Sequence, residues 1–277
     1  MSANSPILTA HLFPVLERKL VELLRSLGPA DWSRPTLARQ WTVKDVAAHL
    51  LDGSIKRLAM QRDGYFGLSA PGSGSYASFI AFINRNNAEW VQAAKRISPT
   101  LLVEMIENTS KQMCQLFAEL DPNAPAIWAV TWAGENDSAN WFDIAREYTE
   151  RWHHQQQIRV ATGRDAISSR ELFYPVLDTF LRGLPHAFRE VVANRGTLIQ
   201  IDIQGEAGGT WFLEQSGSKW QLRDDGESPA AKLTLDQELA WRVFTKAVDP
   251  ETAAAQAGLE GDQVLARQVL SLVAVLA

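Results

Sequence analysis

The hydrophobic period of the chain changes near Gly196. Before that residue, apolar side chains recur at spacings of three and four, for example at positions 8, 12, 13, 16, 20, 23, 24 and 27, which is typical of amphipathic helices. After it, the run Thr197–Gln204 alternates apolar and polar residues, as a half-buried strand does. Helices followed by strands predict a mainly α, α+β fold with two domains, over residues 1–193 and 194–277.

The first domain is predicted to be an up-and-down four-helix bundle. Its helical stretches are Ile7–Leu27, a helix that begins after Thr42, Phe79–Arg96, Thr100–Leu120 with Pro99 at its start, and Trp141–Thr162. A further helix, Leu172–Val192, connects this bundle to the second domain. The connection Gly64–Ser75 is rich in Gly and Ser, so we expect a mobile loop there.

The second domain is predicted to be a small α+β domain with short strands. The predicted strands are Thr197–Gln204, Thr210–Glu214, Lys219–Arg223 and Ala230–Leu235. A helix over Gln237–Ala247 and two more, which begin at Pro250 and Asp262, complete the chain as printed.

The start of the second helix is the best-marked boundary in the sequence. Thr42 is a favourable N-cap residue, and Asp45 follows three residues later, where its carboxylate reaches back to the free N–H groups of the first turn. Trp41 and Val46 are spaced as a hydrophobic staple. These signals predict that the helix begins directly after Thr42, which places His49 two turns into it.

Composition and charge exclude several classes of protein. The chain is 46% apolar and 21% charged, which is enough to bury a core. Its formal charge of −5 comes from interspersed residues, so we expect no nucleic-acid partner. The sequence contains no run of 18 apolar residues, so no membrane-spanning helix is predicted. The single cysteine, Cys114, cannot form an internal disulfide, which favours a reducing, cytoplasmic location. The oligomeric state is left open.

A carboxylate and an imidazole share one face of the predicted helix that begins at Trp141. Glu150 and His154 are four residues apart and therefore lie one turn apart on the same side. Glu147 and Gln157 extend this polar stripe. His153 is rotated by about 100° from His154, so it cannot join Glu150 in one small site.

His49 is the candidate third ligand of a metal site with Glu150 and His154. Two histidines and one carboxylate, with positions left open for water or substrate, suit divalent transition metals. The alternative from spacing alone is a solvated Glu–His pair on a helix surface, without any metal.

Two motifs about 100 residues apart resemble one known family. The run Trp41-Thr-Val-Lys-Asp-Val-Ala-Ala-His49-Leu50 resembles the Trp-Thr-Val-x-Asp-Val-x-x-His-Leu motif of the DinB-like metal-dependent thiol transferases. The run Glu150-Arg-Trp-His-His154-Gln-Gln-Gln157-Ile-Arg-Val-Ala-Thr-Gly163 is similar to the Glu-x-x-x-His segment of their mycothiol-dependent maleylpyruvate isomerase branch. Gly208–Trp211 and Leu259–Ala266 resemble the branch's sterol-carrier-like C-terminal domain.

The resemblance implies an enzyme that is metal-dependent and uses a thiol. It implies that His49, Glu150 and His154 bind Zn²⁺ or Ni²⁺, with a low-molecular-weight thiol such as mycothiol, bacillithiol or glutathione as cosubstrate. The implied reaction is cis–trans isomerisation of, or thiol transfer to, a small electrophile, with metal-dependent hydrolysis as a chemical variant.

The chain departs from the family pattern at Gln157. The family has an aspartate at this position, and its carboxylate is suited to hydrogen-bond a metal-ligating side chain or to act as a general base. The family also uses a cation of its C-terminal domain for a dicarboxylate substrate, and the candidates in this chain are Arg242 and Lys246. Gln157, Arg242 and Lys246 are therefore the candidate catalytic residues beside the metal ligands.

A second class of function fits part of the sequence. Ten tryptophans and a sterol-carrier-like tail are compatible with a protein that binds a small molecule or lipid and whose metal is structural or absent. Stoichiometric metal in a site open to water would favour the enzyme, and an apolar tunnel holding lipid would favour the binding protein.

Overall fold

The computed structural model describes residues 5–38, 40–68 and 75–275, which form two compact units. One unit, called here the helical unit, contains Ala10–Asp121 and Arg151–Ala166. The other, the mixed unit, contains Pro122–Glu150 and Ile167–Val275 together with the described residues before Ala10. The predicted fold class, α+β and mainly α, is confirmed.

The helical unit is built from long helices. They are α1 (Phe13–Arg25), α2 (Val43–Arg57), α3 (Tyr76–Ala94), α4 (Pro99–Glu119) and the second half of α5 (Asn140–Thr162). Its apolar core is formed by one face of each of α1, α2 and α4, together with Trp32, Ala94 of α3 and Ile158 of α5. A π-helical turn, Leu58–Arg62, extends α2.

Helix starts in this unit follow the sequence signals. The hydroxyl of Thr42 accepts a hydrogen bond from the Asp45 N–H, and the Asp45 carboxylate accepts one from the Thr42 N–H at 2.9 Å, so the predicted capping box is confirmed. Trp41 packs against the core cluster that contains Val46. Pro99 is the first residue of α4, as predicted, and Ser98 caps that helix through the Leu101 N–H.

The mixed unit contains a five-stranded sheet in the order β3-β2-β1-β4-β5. The strands are β1 (Leu198–Gln204), β2 (Gly209–Ser216), β3 (Lys219–Arg223), β4 (Ala231–Asp236) and β5 (Gly258–Gly261). β1 pairs with β2 antiparallel and with β4 parallel, while β3 and β5 form the two edges. Ile199, Ile201 and Ile203 of β1 point to the buried face.

The remaining helices of the mixed unit are short. They are α6 (Arg170–Leu181), α7 (Leu184–Ala187), α8 (Gln237–Phe244), α9 (Pro250–Ala254) and α10 (Gln263–Gln268). The first half of α5 also belongs to this unit. Helices α8 and α10 contact the sheet at β4, and α7 contacts β3.

The structure corrects two sequence expectations. The predicted continuous helix Leu172–Val192 is wrong, because α6 ends at Leu181 and the backbone turns at Gly183 before the short α7. Strand β5 was not predicted, although it pairs with β4 from Thr234 to Ala231. Residues 69–74 of the predicted mobile loop lie outside the described residues. No helix in the described ranges is long and apolar enough to cross a bilayer.

Candidate metal centre

Helix α2 and helix α5 present the three residues that the sequence suggests as ligands. His49 lies two turns into α2, at a position set by the capping box of Thr42 and Asp45. Glu150 and His154 lie one turn apart on the same face of α5. The backbone geometry of the two helices therefore aims two imidazoles and one carboxylate at a common point.

The ligand atoms of these residues are close enough to share one ion. In the described part of the chain, His49, Glu150 and His154 each offer an atom within 4.8 Å of the others. The two imidazole ring centroids are 4.8 Å apart, with the ring planes at 70°. His154 is buried, whereas His49 and Glu150 are half-buried. The group is therefore partly accessible to solvent, with His154 as its buried member.

The donor set and its spacing fit a divalent transition metal. Ligand bonds of about 2.0–2.2 Å at tetrahedral angles place two ligand atoms on one ion about 3.3–3.6 Å apart. The ligand atoms of the three side chains, which lie within 4.8 Å of one another, therefore need to approach by at most about 1.5 Å to bind one ion. Two nitrogens and one oxygen leave at least one coordination position for an exogenous molecule, as in catalytic rather than structural zinc sites.

Trp41 forms an aromatic wall beside both histidines. Its ring centroid lies 4.9 Å from that of His49 and 6.1 Å from that of His154. The sequence signals assigned Trp41 to a hydrophobic staple and to the first position of the family motif, but did not place it against the two histidines. The indole packs beside both rings and so restricts their rotation.

Gln157 hydrogen-bonds a candidate ligand. Its Oε1 lies 2.9 Å from Nδ1 of His154, and both side chains are buried. Gln157 was predicted as a possible catalytic residue of the polar stripe. The structure places it against the imidazole of His154 at a spacing of three residues on α5.

Arg146 lies on the same face of α5, one turn before Glu150, and the sequence reasoning missed it. Its guanidinium is 2.8 Å from an Asp143 oxygen and 3.6 Å from a Glu147 oxygen. Burial lowers the pKa of Arg146, but the carboxylates of Asp143, Glu147 and Glu150 outweigh burial and raise that pKa. The guanidinium thus offsets part of the negative charge along this stripe. The four-residue spacing to Glu150 was the available signal.

His153 and the two predicted cations occupy other positions. His153 is buried beside His154, with ring centroids 4.0 Å apart, and is not one of the three residues of the described ligand group. Arg242 of α8 pairs with Glu238 at 3.6 Å and lies over the Trp241 ring. Lys246 follows α8 as an exposed residue with a left-handed backbone, φ 62°. Arg242 and Lys246 stay predictions.

The helical part of the chain, which contains the three candidate ligands, matches a known family. Residues 13–159, more than half of the chain, match the family described as the mycothiol maleylpyruvate isomerase N-terminal domain. The chain belongs to this family, and the resemblance read from its motifs is confirmed.

Two solved structures have a similar fold. One is a crystal structure of a histidine-to-alanine mutant of the mycothiol-dependent maleylpyruvate isomerase, with a TM-score of 0.54, 12% identity, and coverage of 91% of each chain. The other, of the mycothiol-dependent maleylpyruvate isomerase, has a TM-score of 0.52 at 12% identity and covers 86% of this chain and 88% of that one. At this identity the likeness concerns the fold. Comparison with curated protein sequences gives no match.

Proposed function

We propose that the protein is a metal-dependent enzyme that uses a low-molecular-weight thiol. The enzyme either isomerises a small electrophile with the help of this thiol or transfers the thiol to the electrophile. The convergence of His49, Glu150 and His154 within 4.8 Å carries this proposal. Membership of the maleylpyruvate isomerase family supports the thiol and the type of substrate. The expected location is the cytoplasm, where such thiols stay reduced.

The proposed cofactor is Zn²⁺ or Ni²⁺, held by His49, Glu150 and His154. A bound divalent ion supplies Lewis acidity, which lowers the pKa of a thiol into the neutral range. The two imidazoles add no charge to the site, and the carboxylate adds one negative charge. Trp41 packs beside both imidazoles and restricts their rotation at the site.

The nucleophilic thiol is proposed to come from outside the protein. The chain has one cysteine, Cys114, and this residue is a poor nucleophile. Its burial, together with the neighbouring Glu17 carboxylate, raises the pKa of the Cys114 thiol to about 12. Because the thiolate is the reactive form, the chain's own sulfur is nearly unreactive at neutral pH. A cosubstrate such as mycothiol, bacillithiol or glutathione supplies the missing group.

The proposed reaction follows from thiolate chemistry. The sulfur adds to one carbon of a cis double bond, so a C–S bond forms and the π electrons move toward the conjugated carbonyl. The former double bond is now single and rotates. Elimination then breaks the C–S bond, restores the double bond in the trans form and releases the thiolate. In thiol transfer, a proton is added to the carbon instead, and the C–S bond stays.

The substrate end of the site is also a proposal. Arg242 and Lys246 are our candidates for binding a carboxylate of the electrophile, by analogy with the family. Gln157 lacks a titrating oxygen, so it cannot act as a general base there. Its contact with His154 supports a role in orienting that side chain instead.

Elemental analysis and a thiol screen test the proposal. The purified protein should contain about one equivalent of Zn or Ni, and removal of the metal should abolish thiol-dependent turnover of a cis-enone acid. The His154→Ala variant should lose both metal and activity. The matched control is His11→Ala, because His11 is an exposed histidine of the helical unit.

Two results would contradict the enzyme. One is full activity of the metal-free protein, which would remove the role of the ligand group. The other is a metal-free protein that copurifies with a stoichiometric lipid and turns over no electrophile with any of the three thiols. The second result would instead favour a binding protein.

A further inference from the structure

A buried arginine joins helices α2 and α5 close to the two histidines of the candidate site. The Arg151 guanidinium of α5 hydrogen-bonds the Ser54 hydroxyl of α2. Ser54 follows His49 by five residues and Arg151 precedes His154 by three, so the contact lies about 4–8 Å along the helix axes from the histidine pair. The arginine contact and the imidazole pair therefore connect the same two helices.

Two further helices of the helical unit hold this guanidinium. Nη2 of Arg151 lies 3.2 Å from Sδ of Met113 on α4, and Nε lies 3.6 Å from Oε1 of Glu17 on α1. The guanidinium is planar and rigid, so contacts from several sides determine its position and its orientation. At this level α5 is therefore anchored to α1, α2 and α4.

We propose that Arg151 is a positioning residue that sets the separation of α2 and α5 and thereby brings His49 and His154 within reach of one ion. The inference rests on the proposed function, because that ion is the proposed cofactor. It goes further by assigning the preparation of the site to a residue that is not itself a ligand. Helices held at a fixed distance present their imidazoles together before any metal binds, so less binding free energy is spent on ordering the site.

Burial makes the Arg151–Ser54 contact a firm link between the helices. Ser54 is fully buried and Arg151 is 1% exposed, so water cannot replace either partner. The imidazole ring centroids of His49 and His154 are 4.8 Å apart, and a site of this kind tolerates displacements of only about half an ångström. A link of this strength so near the pair therefore affects whether both ligands reach the ion.

The alternative is that Arg151 only stabilises the bundle. Two buried serines of the same network separate these roles. Ser54 links Arg151 to α2, whereas Ser110 of α4 donates a hydrogen bond to Oε2 of Glu17 at 2.5 Å and so joins α4 to α1. Both serines are at most 2% exposed, which makes their alanine variants a matched pair.

Zinc affinity of Ser54→Ala and Ser110→Ala tests the inference. We expect Ser54→Ala to bind zinc about tenfold more weakly than the original protein, because α2 loses its link to Arg151. Ser110→Ala should lower stability to a similar extent and keep its zinc affinity within about twofold of the original. A competing chromophoric chelator measures the dissociation constants. Equal losses of affinity in the two variants, or no loss in Ser54→Ala, would overturn the inference.

A double variant separates positioning from stability in a second way. Glu17→Met/Arg151→Met replaces the buried ion pair by apolar side chains, an exchange that is often neutral for stability. We expect this variant to keep the helical circular dichroism signal and to bind zinc about tenfold more weakly than the original protein. Original zinc affinity in the folded double variant would overturn the inference. If the double variant fails to fold, Ser54→Ala decides the question, because it keeps both charges.

Indole NMR of the metal-free protein gives a readout that needs neither metal nor activity. The Trp41 ring lies 4.9 Å from the His49 ring and 6.1 Å from the His154 ring, so its N–H signal reports on both side chains. This signal, assigned by its loss in Trp41→Phe, should shift in Ser54→Ala and stay in place in Ser110→Ala. An unchanged Trp41 signal in Ser54→Ala would overturn the inference, whatever the zinc affinity.

The two proposals fail in different ways. If the original protein binds no zinc or nickel but the Trp41 signal shifts in Ser54→Ala alone, the proposed function falls and the positioning contact stands. If the original protein binds metal and Ser54→Ala binds it equally well, the proposed function stands and the role of Arg151 falls.

Discussion

Glu17 and Arg151 face each other inside the helical unit, with Oε1 of the carboxylate 3.6 Å from Nε of the guanidinium. Both side chains are at most 5% exposed. Ser110 donates a hydrogen bond to the other Glu17 oxygen at 2.5 Å, and Arg151 hydrogen-bonds Ser54. This network links α1, α2, α4 and α5 through the residue that directly follows Glu150.

Removing the Glu17 charge should destabilise the helical unit strongly. Glu17→Gln leaves the Arg151 guanidinium buried without its carboxylate, and we expect a loss of about 3–5 kcal/mol in the free energy of unfolding. The free energy of unfolding is measured by urea denaturation, with the helical circular dichroism signal as the probe. The control is Arg18→Ala, which breaks an exposed pair with Glu22 and should cost less than about 1 kcal/mol. A change below about 1 kcal/mol in Glu17→Gln would contradict the prediction.

Cys114 should resist alkylation in the folded protein. Because burial and Glu17 raise the pKa of its thiol to about 12, the thiolate fraction at pH 8 is about a thousandfold below that of an ordinary thiol. The rate of reaction with iodoacetamide should be lower by a similar factor than in urea. It should rise about tenfold per pH unit between pH 7 and 10, since this range lies below the pKa. Mass spectrometry follows the alkylation of Cys114. A rate in the folded protein within tenfold of the rate in urea would contradict the prediction.

Gly134 should tolerate alanine less well than Gly196. Their φ angles are nearly equal, 84° and 85°, so the backbone strain of Gly→Ala is similar, about 1–2 kcal/mol. A Cβ at Gly134 would also collide with the His186 ring, whereas nothing in the described chain lies within 4 Å of one at Gly196. We expect Gly134→Ala to lose about 1–3 kcal/mol more.

A double variant checks the cause of that difference. His186→Ala should recover much of the extra loss in Gly134→Ala and none of the loss in Gly196→Ala. Thermal denaturation of the three single variants and the two double variants measures these free energies. Equal losses in Gly134→Ala and Gly196→Ala would show that the His186 ring yields at little cost.

His49→Ala should lose metal and keep its fold. Helix α2 is held by the apolar face of Val43, Val46, Ala47, Leu50 and Leu51, all of which are buried. These contacts do not depend on the imidazole of His49. Plasma mass spectrometry should find less than a tenth of the original metal, with an unchanged helical signal in circular dichroism. Collapse of that signal on chelation of the original protein would mean that the metal is structural.

Local signals in the sequence predicted the elements that are stabilised locally. Helix α2 begins where Thr42 and Asp45 place it, because a capping box involves only residues within one turn. Strand β3 has the predicted bounds, Lys219–Arg223, because a tight turn sets its pairing with β2. Glu150 and His154 of the candidate site could be chosen because their spacing identifies a shared helix face, whereas His49 was chosen from ligand chemistry and the family motif.

Features that depend on distant residues could not be predicted in this way. Strand β5 has two glycines in four residues, and only its pairing with β4 makes it a strand. The break after α6 falls at Gly183, where a Cβ would meet Leu272 and Trp132, so packing by distant residues requires glycine there. Likewise, Trp41 reached the site through tertiary packing that helical periodicity does not encode.

The two edge strands of the sheet bear on how the protein behaves at high concentration. Strand β3 exposes Lys219 and Arg223 at its ends, and β5 is only four residues long, with an exposed Glu260. A strand of a neighbouring molecule that docked along β3 would meet charged side chains. One that docked along β5 would form too few backbone hydrogen bonds for stable pairing. We therefore expect both edges to resist intermolecular β-sheet growth, which protects the mixed unit from amyloid-like aggregation.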